Sequence, residues 1–327
     1  MSLQQAWYSG ARWPLLLLPL SGLFWLIVML RRLAYQLRIL PTRRVNVPVI
    51  IIGNITVGGS GKTPLVAWLV EHLRQSGWTP GIVSRGYGGQ SKTWPQAVTA
   101  QSNPEQVGDE PVMLALTTGC PVAVAPSRYA AAKMLLEQGV DIIVADDGLQ
   151  HYALARDIEI AVRDMQRGYG NRQLLPAGPL REPLGRLRSV DMEIVHGRGG
   201  DFRLEIEVVA PLSNDAPAEP LLEFAGKTVH AVAGIGNPQR FFDALIAAGI
   251  IVIPHPFPDH HAFTEEEIAF KDDGHPVLMT AKDAVKYRRY AGAKHWYVPA
   301  VARVNADAMR QLDKLIDALP KPSNECP

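Results

Sequence analysis

Cysteine is almost absent from this chain of 327 residues: only Cys120 and Cys326 occur, far apart, the second beside the C-terminus. That excludes a disulfide framework and a cysteine-based zinc site. An excess of either charge is also missing. Thirty-three basic side chains oppose 32 acidic ones, for a net charge of +1, so no electrostatic footprint calls for nucleic acid. There is no internal repeat, and nothing implies an obligate protein partner. With 47% hydrophobic and 20% charged residues, the composition is that of a globular enzyme rather than a disordered chain.

One absence is local. From Trp13 to Leu30 the sequence WPLLLLPLSGLFWLIVML carries no charge at all. About 20 apolar residues at 1.5 Å rise cross a bilayer core, so the stretch sits at the lower limit for a span. Pro14, Pro19 and Gly22 weaken it as a straight helix. Arg12 precedes it, and Arg31, Arg32, Arg38, Arg43 and Arg44 come after it. If it inserts, this asymmetry leaves the rest of the chain in the cytoplasm. No small-residue cleavage site precedes the arginines, which argues against a cleaved signal peptide. Spanning, lying in the interface and burial in a soluble core all remain open at this point.

Beyond the arginines the chain is patterned. VPVIIIGN (47–54) is an unalternating β-branched run, as in a strand buried on both faces. TPLVAWLVEHLRQSG (63–77) places Leu65, Val66, Leu69, Val70 and Leu73 at helical spacing, with Pro64 in the first turn and Gly77 as a cap. GIVSRG (81–86), PVAVAP (121–126), VDIIVADD (140–147) and IEIAVRD (158–164) read as further strands. GDEPVMLALTTG and SRYAAAKMLLEQG read as helices between them. Alternation of this kind predicts an α/β fold: a P-loop-type parallel sheet with helices on both faces. A second αβ run begins near Lys227. The expected organisation is therefore a hydrophobic membrane-associating helix over 1–35, a P-loop kinase domain over 36–200 and a smaller C-terminal α/β domain over 201–327. The polar piece 198–225 reads as its connector.

GNITVGGSGKTP (53–64) supplies the chemistry. Wrapping a phosphate chain with backbone N–H groups requires residues without side chains, at the positive end of a helix. The loop residues Thr56, Val57, Gly58, Gly59, Ser60, Gly61, Lys62 and Thr63 are thus expected to bind ATP. Lys62 would reach the terminal phosphates and the Thr63 hydroxyl would hold Mg²⁺. Thr56 stands where the common pattern has its first glycine, so Gly58 and Gly59 must supply the turn. Of Asp146 and Asp147, after the apolar strand IIV, one carboxylate is expected to hold Mg²⁺ through water and the other to orient a neighbour. A GTPase would need N-K-x-D, and TAKD (280–283) does not match it. Arg85, Arg128 and Arg181 are available to steady a migrating phosphoryl group. Asp109 and the cluster HPFPDHH (255–261) offer a proton acceptor for the phosphate acceptor's hydroxyl. The same cluster also reads as a plain surface loop or an irregular metal site.

Together GNITVGGSGKTP, SRGYGG, VGDEP, DDGLQH, GPLREP, GIGNPQRFF, FPDHH and TAKDAVK resemble, in this order, the tetraacyldisaccharide 4'-kinases of lipid A biosynthesis in Gram-negative bacteria. The resemblance covers nearly the whole chain, including the hydrophobic N-terminus, and Thr56 belongs to that family's own pattern. It implies an ATP- and Mg²⁺-dependent transferase acting on the 4'-hydroxyl of an acylated disaccharide 1-phosphate lipid, at the cytoplasmic face of the inner membrane. It implies Asp109 and His260 as a catalytic dyad, with His261 as the adjacent alternative. It implies Asp146 and Asp147 serving the metal and the site charge, Gln150 and Glu182 near Mg²⁺ with Thr63, and Arg128 and Arg181 at the reaction. The rival expectations are a membrane-associated P-loop ATPase and a nucleotide-gated adaptor. Neither requires the Asp109–His260 pair.

Overall fold

The computed structural model describes residues 1–320 except 214, 215, 260, 271 and 272. Two helices, α1 (Leu3–Tyr8) and α2 (Leu18–Gln36), precede the first strand, joined by a 3-10 turn over Trp13–Leu17. The apolar segment Trp13–Gln36 is only 11% buried, and Leu16, Leu20, Leu23, Ile27 and Leu30 are all more than half exposed. It is not a core helix. It is nevertheless fastened to the body along its length. Trp7 Nε1 donates to the Pro176 carbonyl at 3.1 Å. Ser21 Oγ donates to the Leu174 carbonyl and accepts from the Ala177 amide, both at 2.9 Å. Arg32 donates to Ser189 Oγ at 3.3 Å, and the Tyr35 ring packs 5.7 Å from that of Tyr152. From Ser21 to Tyr35 a helix advances about 21 Å, so one face of α2 lies along the protein while the other is left apolar and open.

The first sheet takes β1 (Val49–Gly53), β2 (Pro80–Ser84), β3 (Gln96–Val98), β4 (Val122–Val124), β5 (Ile142–Asp146), β6 (Ile158–Asp164), β7 (Met192–His196) and β8 (Phe202–Glu205). Between them run α3 (Lys62–Gln75), α4 (Pro104–Val107), α5 (Asp109–Thr118) and α6 (Arg128–Leu136). The second sheet takes β9 (Val208–Pro211), β10 (Glu219–Pro220), β11 (Thr228–Ala233), β12 (Ile251–Pro256), β13 (Val277–Thr280) and β14 (His295–Val298), with α7 (Pro238–Ala247), α8 (Glu265–Ala269) and α9 (Ala281–Tyr287). The chain ends with β15 (Val301–Val304) and α10 (Ala306–Asp317).

Among the described residues the first sheet runs β15-β8-β7-β6-β1-β5-β2-β4-β3 and the second β10-β9-β14-β13-β11-β12. The central strands of the first sheet are parallel, and β3 and β15 close its edges antiparallel. β1 and β5 are buried at every position, as the β-branched runs require of a sheet covered on both faces. Ile50 and Ile52 face α3, α5 and α10, while Val49 and Ile51 face α6.

The sheets divide the chain differently from the boundary at 200/201. β8 still belongs to the first sheet, and β15 returns to pair with it, Val301 opposite Glu205 and Val304 opposite Phe202. Ala308, Leu312 and Ile316 of α10 join the core under the first sheet. The second sheet is thus inserted between β8 and β15. The stretch read as a polar connector holds three strands, β8 to β10, whose residues alternate too briefly to register as strands.

Candidate active site

Parallel pairing brings the carboxyl ends of five strands to one edge, where ligands of such sheets bind. Gly53, Ser84, Asp146, Asp164 and His196 end β1, β2, β5, β6 and β7 there. A cavity of about 1630 Å³ opens over this edge, between the two sheets' domains. Its walls include Val57 to Thr63, Arg85, Arg128, Asp147, Gln150 and Arg181.

The glycine loop is held from below by one residue of its own motif. Asn54 is buried, and its Nδ2 donates to Thr56 Oγ1 at 3.3 Å, the Gly58 carbonyl at 3.4 Å and Ser60 Oγ at 3.2 Å. Thr56 bridges to Leu180, and the Val57 amide donates to the Pro179 carbonyl at 2.9 Å. Gly61 caps α3 with φ +84°, and a side-chain carbon there would stand 3.0 Å from His196 Nδ1. Both its conformation and its closeness to the imidazole therefore require glycine. The N-terminus of α3, with Lys62 and Thr63, faces the cavity as an anion site.

The two aspartates after β5 differ in environment. Asp146 is buried, and neither carboxylate oxygen has a hydrogen-bond partner among the described residues. Burial first, then Glu110 and Asp147, push its carboxyl up to about 7, against Lys62 and Arg128. Asp147 adopts φ +48° and turns to the arginine of GPLREP. Arg181 grips both its oxygens at 2.9 Å, and Lys62 Nζ stands 3.5 Å away. Burial opposes ionisation of Asp147, but Lys62, Arg181 and Arg128 outweigh it and hold its carboxyl far below the ordinary range. One carboxylate is thus fixed and ionised, and the other is buried with empty lone pairs. Arg128 is buried and donates to the carbonyls of Asp146 and Asp147 at 2.9 and 2.8 Å. It orders the aspartate turn itself.

Gln150 Nε2 donates to the Asn54 carbonyl at 3.1 Å and to Glu182 Oε2 at 2.9 Å. Glu182 is buried, accepts from Gln150 and Tyr152 on its two oxygens, and has Arg186 Nε 3.8 Å away. These bonds fix Gln150 and Tyr152, and each Glu182 oxygen keeps a second lone pair, so they are compatible with the expectation that Glu182 stands near Mg²⁺. Among the described residues no three acidic or imidazole side chains converge as a metal cage. Two carboxylates and a threonine suit Mg²⁺, which binds through few protein ligands plus phosphate oxygens and water.

Three further residues take part. His196 is buried, stacks on Phe202, accepts from Arg240 of α7 at 3.3 Å and lies 3.4 Å from Asp164. Burial raises the Asp164 carboxyl, but His196 at 3.4 Å and hydrogen bonds from the Arg167 and Gln166 amides bring it down to about 2. His151 lines the cavity with a buried, unpartnered Nε2. Asn54 stands within GNITVGGSGKTP and His151 within DDGLQH, while His196 belongs to no motif and only the end of β7 brings it there.

From the second domain Ile235, Asn237, Arg240, Phe241, Asp259 and Lys282 reach the cavity. His260 lies outside the described residues. His261, its alternative, is committed elsewhere: Nε2 bonds Glu267 at 3.0 Å, and the ring packs against Phe257 and Phe263. Asp109 opens α5 directly after Gly108, whose φ is +92° and where a side-chain carbon would stand 2.6 Å from the Tyr87 carbonyl, so the GDEP turn lies close against the SRGYGG loop.

Comparison with known proteins gives one answer. The family described as tetraacyldisaccharide-1-P 4'-kinase matches residues 13–317. The tetraacyldisaccharide 4'-kinase of Nitrosococcus oceani is 49% identical over 321 residues, covering 96% of this chain and 94% of the relative. That of Alkalilimnicola ehrlichii is 52% identical over 300 residues, with 90% of each covered. Among solved structures, an "apo" form of LpxK from Aquifex aeolicus in complex with ATP superposes with a TM-score of 0.78 at 30% identity, over 93% of this chain and 98% of that one.

Proposed function

The chain belongs to the tetraacyldisaccharide-1-P 4'-kinase family, and we propose that it transfers the γ-phosphate of ATP to the 4'-hydroxyl of a tetraacylated disaccharide 1-phosphate, a step of lipid A biosynthesis. The observation that carries this reading is the aspartate pair. A clamped, ionised Asp147 faces Lys62 of the glycine loop beside a buried Asp146 whose oxygens are unused. Asp146, Asp147 and Thr63 would hold Mg²⁺ when it is bound, where it neutralises charge on the phosphates. Gly58 to Thr63 wrap the phosphates, and Lys62 and Arg181 keep their positive charge directed at the transferring group. The 4'-oxygen forms a bond to γ-phosphorus, the bond to the bridging oxygen of ADP breaks, and the hydroxyl proton passes to Asp109, paired with His260. The resemblance supports that pair, and the GDEP turn's position against the SRGYGG loop accords with it.

The substrate's acyl chains keep it in a bilayer, at about 0.8 kcal/mol per buried CH₂, so the enzyme must work at the surface. α2 supports an interfacial rather than a spanning arrangement. Its contacts from Ser21 to Tyr35 hold it along the body, which supports this arrangement over one in which the helix leaves the body to cross the membrane. Its open leucine face would enter the cytoplasmic leaflet of the inner membrane, with the arginines after it at the head groups.

The test is transfer of label from γ-labelled ATP to the tetraacyl disaccharide 1-phosphate in micelles, beside Asp109→Ala. Labelled lipid from the wild type with a large loss in the variant is expected. Equal labelling by both would remove Asp109 from the chemistry. Free phosphate without labelled lipid would return the reading to an ATPase.

A further inference from the structure

Behind Gln150 lies a layer of buried charge that phosphate transfer does not itself use. Arg186, Glu182 and Glu159 are all buried. Arg186 donates through one terminal nitrogen to Glu159 at 2.5 Å and through the other to Ser189 Oγ at 2.8 Å. Arg156 closes on the same Glu159 oxygen at 2.7 Å. Two guanidinium groups and two carboxylates thus balance in the protein interior. Taking four charges out of water is expensive, and apolar residues of similar volume would fill such a space at least as stably. The geometry that the network imposes explains it better than any stability it adds.

Tyr152 stands at its centre. Arg186 Nε donates to the Tyr152 hydroxyl at 3.1 Å. A guanidinium can only donate, so the hydroxyl oxygen accepts and its own proton must point elsewhere. It points to Glu182 Oε1. Gln150 Nε2 donates to the other oxygen, Oε2, at 2.9 Å and to the Asn54 carbonyl at 3.1 Å. Both partners are acceptors, which fixes the orientation of the amide. The Glu182 carboxylate is therefore locked between two donors, one on each oxygen, and cannot turn about its last bond without losing both. The Tyr152 ring is held in its turn. The guanidinium groups of Arg156 and Arg186 lie 5.4 and 5.7 Å from its centre, and Tyr35 of α2 packs against it at 5.7 Å. Among the described residues of this network only Gln150 lines the cavity.

We propose that Tyr152 is a positioning residue for phosphate transfer: its hydroxyl, aimed by Arg186, sets the Glu182 carboxylate and, through it, the Gln150 amide at the metal side of the cavity. The proposal rests on the kinase reading above and on Glu182 standing near Mg²⁺. Partners behind a metal's surroundings act in this way, by fixing the orientation of groups they do not replace. The ring of the same tyrosine carries the contact with α2, so the helix that meets the bilayer braces the layer that orients the metal side.

The test is Tyr152→Phe, which keeps the ring and removes only the hydroxyl. Label transfer from ATP to the tetraacyl disaccharide 1-phosphate in micelles gives kcat and KM. Calorimetry on the full chain gives its affinity for ADP in EDTA and for Mg²⁺ in the presence of ADP. Removing such an orienting partner costs about 10–100-fold, so kcat and the Mg²⁺ affinity should each fall by a factor in that range. Both KM values and the affinity for ADP in EDTA should stay within about twofold of wild type, because the glycine loop keeps all its own contacts. Wild-type kcat and Mg²⁺ affinity in the variant would overturn the positioning role. So would loss of ADP binding in EDTA, since the hydroxyl would then serve the fold of the whole site. A wild type that labels no lipid would sink the kinase reading instead, and the Mg²⁺ titration, which needs no lipid, would still decide the role of Tyr152.

Discussion

Replacing Asp146 by Asn should stabilise the nucleotide-free protein while abolishing phosphate transfer. The fold buries this carboxyl with both oxygens unpartnered and moves its ionisation from 3.8 up to about 7. An acid with a raised value resists charging in the folded state. Below about pH 4 it is protonated whether folded or not, and burial costs nothing extra. As pH rises from about 4 to 7 the unfolded state releases its proton first, and native stability declines. Above about 7 the full penalty is present. At 1.36 kcal/mol for each tenfold change, that penalty is about 4 kcal/mol at most. Relaxation of Glu110 and Asp147 around the site brings the expected figure to about 2–4 kcal/mol. Asn has the same shape and never ionises. Urea unfolding in EDTA should therefore show Asp146→Asn more stable than wild type by about that amount at pH 8.5, and nearly equal to it at pH 4. A variant no more stable at pH 8.5, or one equally stabilised at both pH values, would refute the assignment of Asp146 as an uncompensated buried acid.

Arg181→Lys keeps the charge but loses the fork that grips both oxygens of Asp147. Turnover should fall about 10–100-fold, and a Mg²⁺ titration should move to higher concentration. Asn54→Ala removes the donor beneath Thr56, Gly58 and Ser60, so KM for ATP measured by steady-state kinetics should rise about tenfold. His261→Gln should cost about 1 kcal/mol in thermal unfolding, by loss of its bond to Glu267, and leave turnover within about threefold. His260→Ala should lower turnover about 10²–10⁴-fold, as the loss of a proton-transfer partner does. The opposite ranking of the two histidines would exchange their roles.

The central strands were legible because β-branched runs such as VIIIG and IIVAD admit few other conformations, and parallel pairing then sends both motifs to one edge. The loop from Gly58 to Thr63 and the aspartate pair were legible for the same reason, since phosphate chemistry dictates their residue types. The bonds of Glu182 to Gln150 and Tyr152 were not legible, because a glutamate beside an arginine looks the same in sequence whatever it meets. β15 and α10 were given to the wrong sheet because local periodicity identifies a strand but not its neighbour. Val301 finds Glu205 across nearly a hundred residues. The roles of Asn54 and His151, though both stand inside motifs, and the presence of His196 are not legible for a related reason: each is one polar residue at a strand end or turn, where such residues are ordinary.

The return of β15 and α10 to the first sheet has a consequence in time. α3 begins at Lys62, and the helix that packs beside it begins at Ala306, its Asp313 2.7 Å from His72. Roughly 240 residues separate the two, on the order of 12–50 s of synthesis at bacterial rates. The apolar segment Trp13–Gln36 leaves the ribosome long before then. On the interfacial reading proposed above, the nascent chain has its membrane-facing helix ready while the floor beneath its nucleotide loop is still unmade.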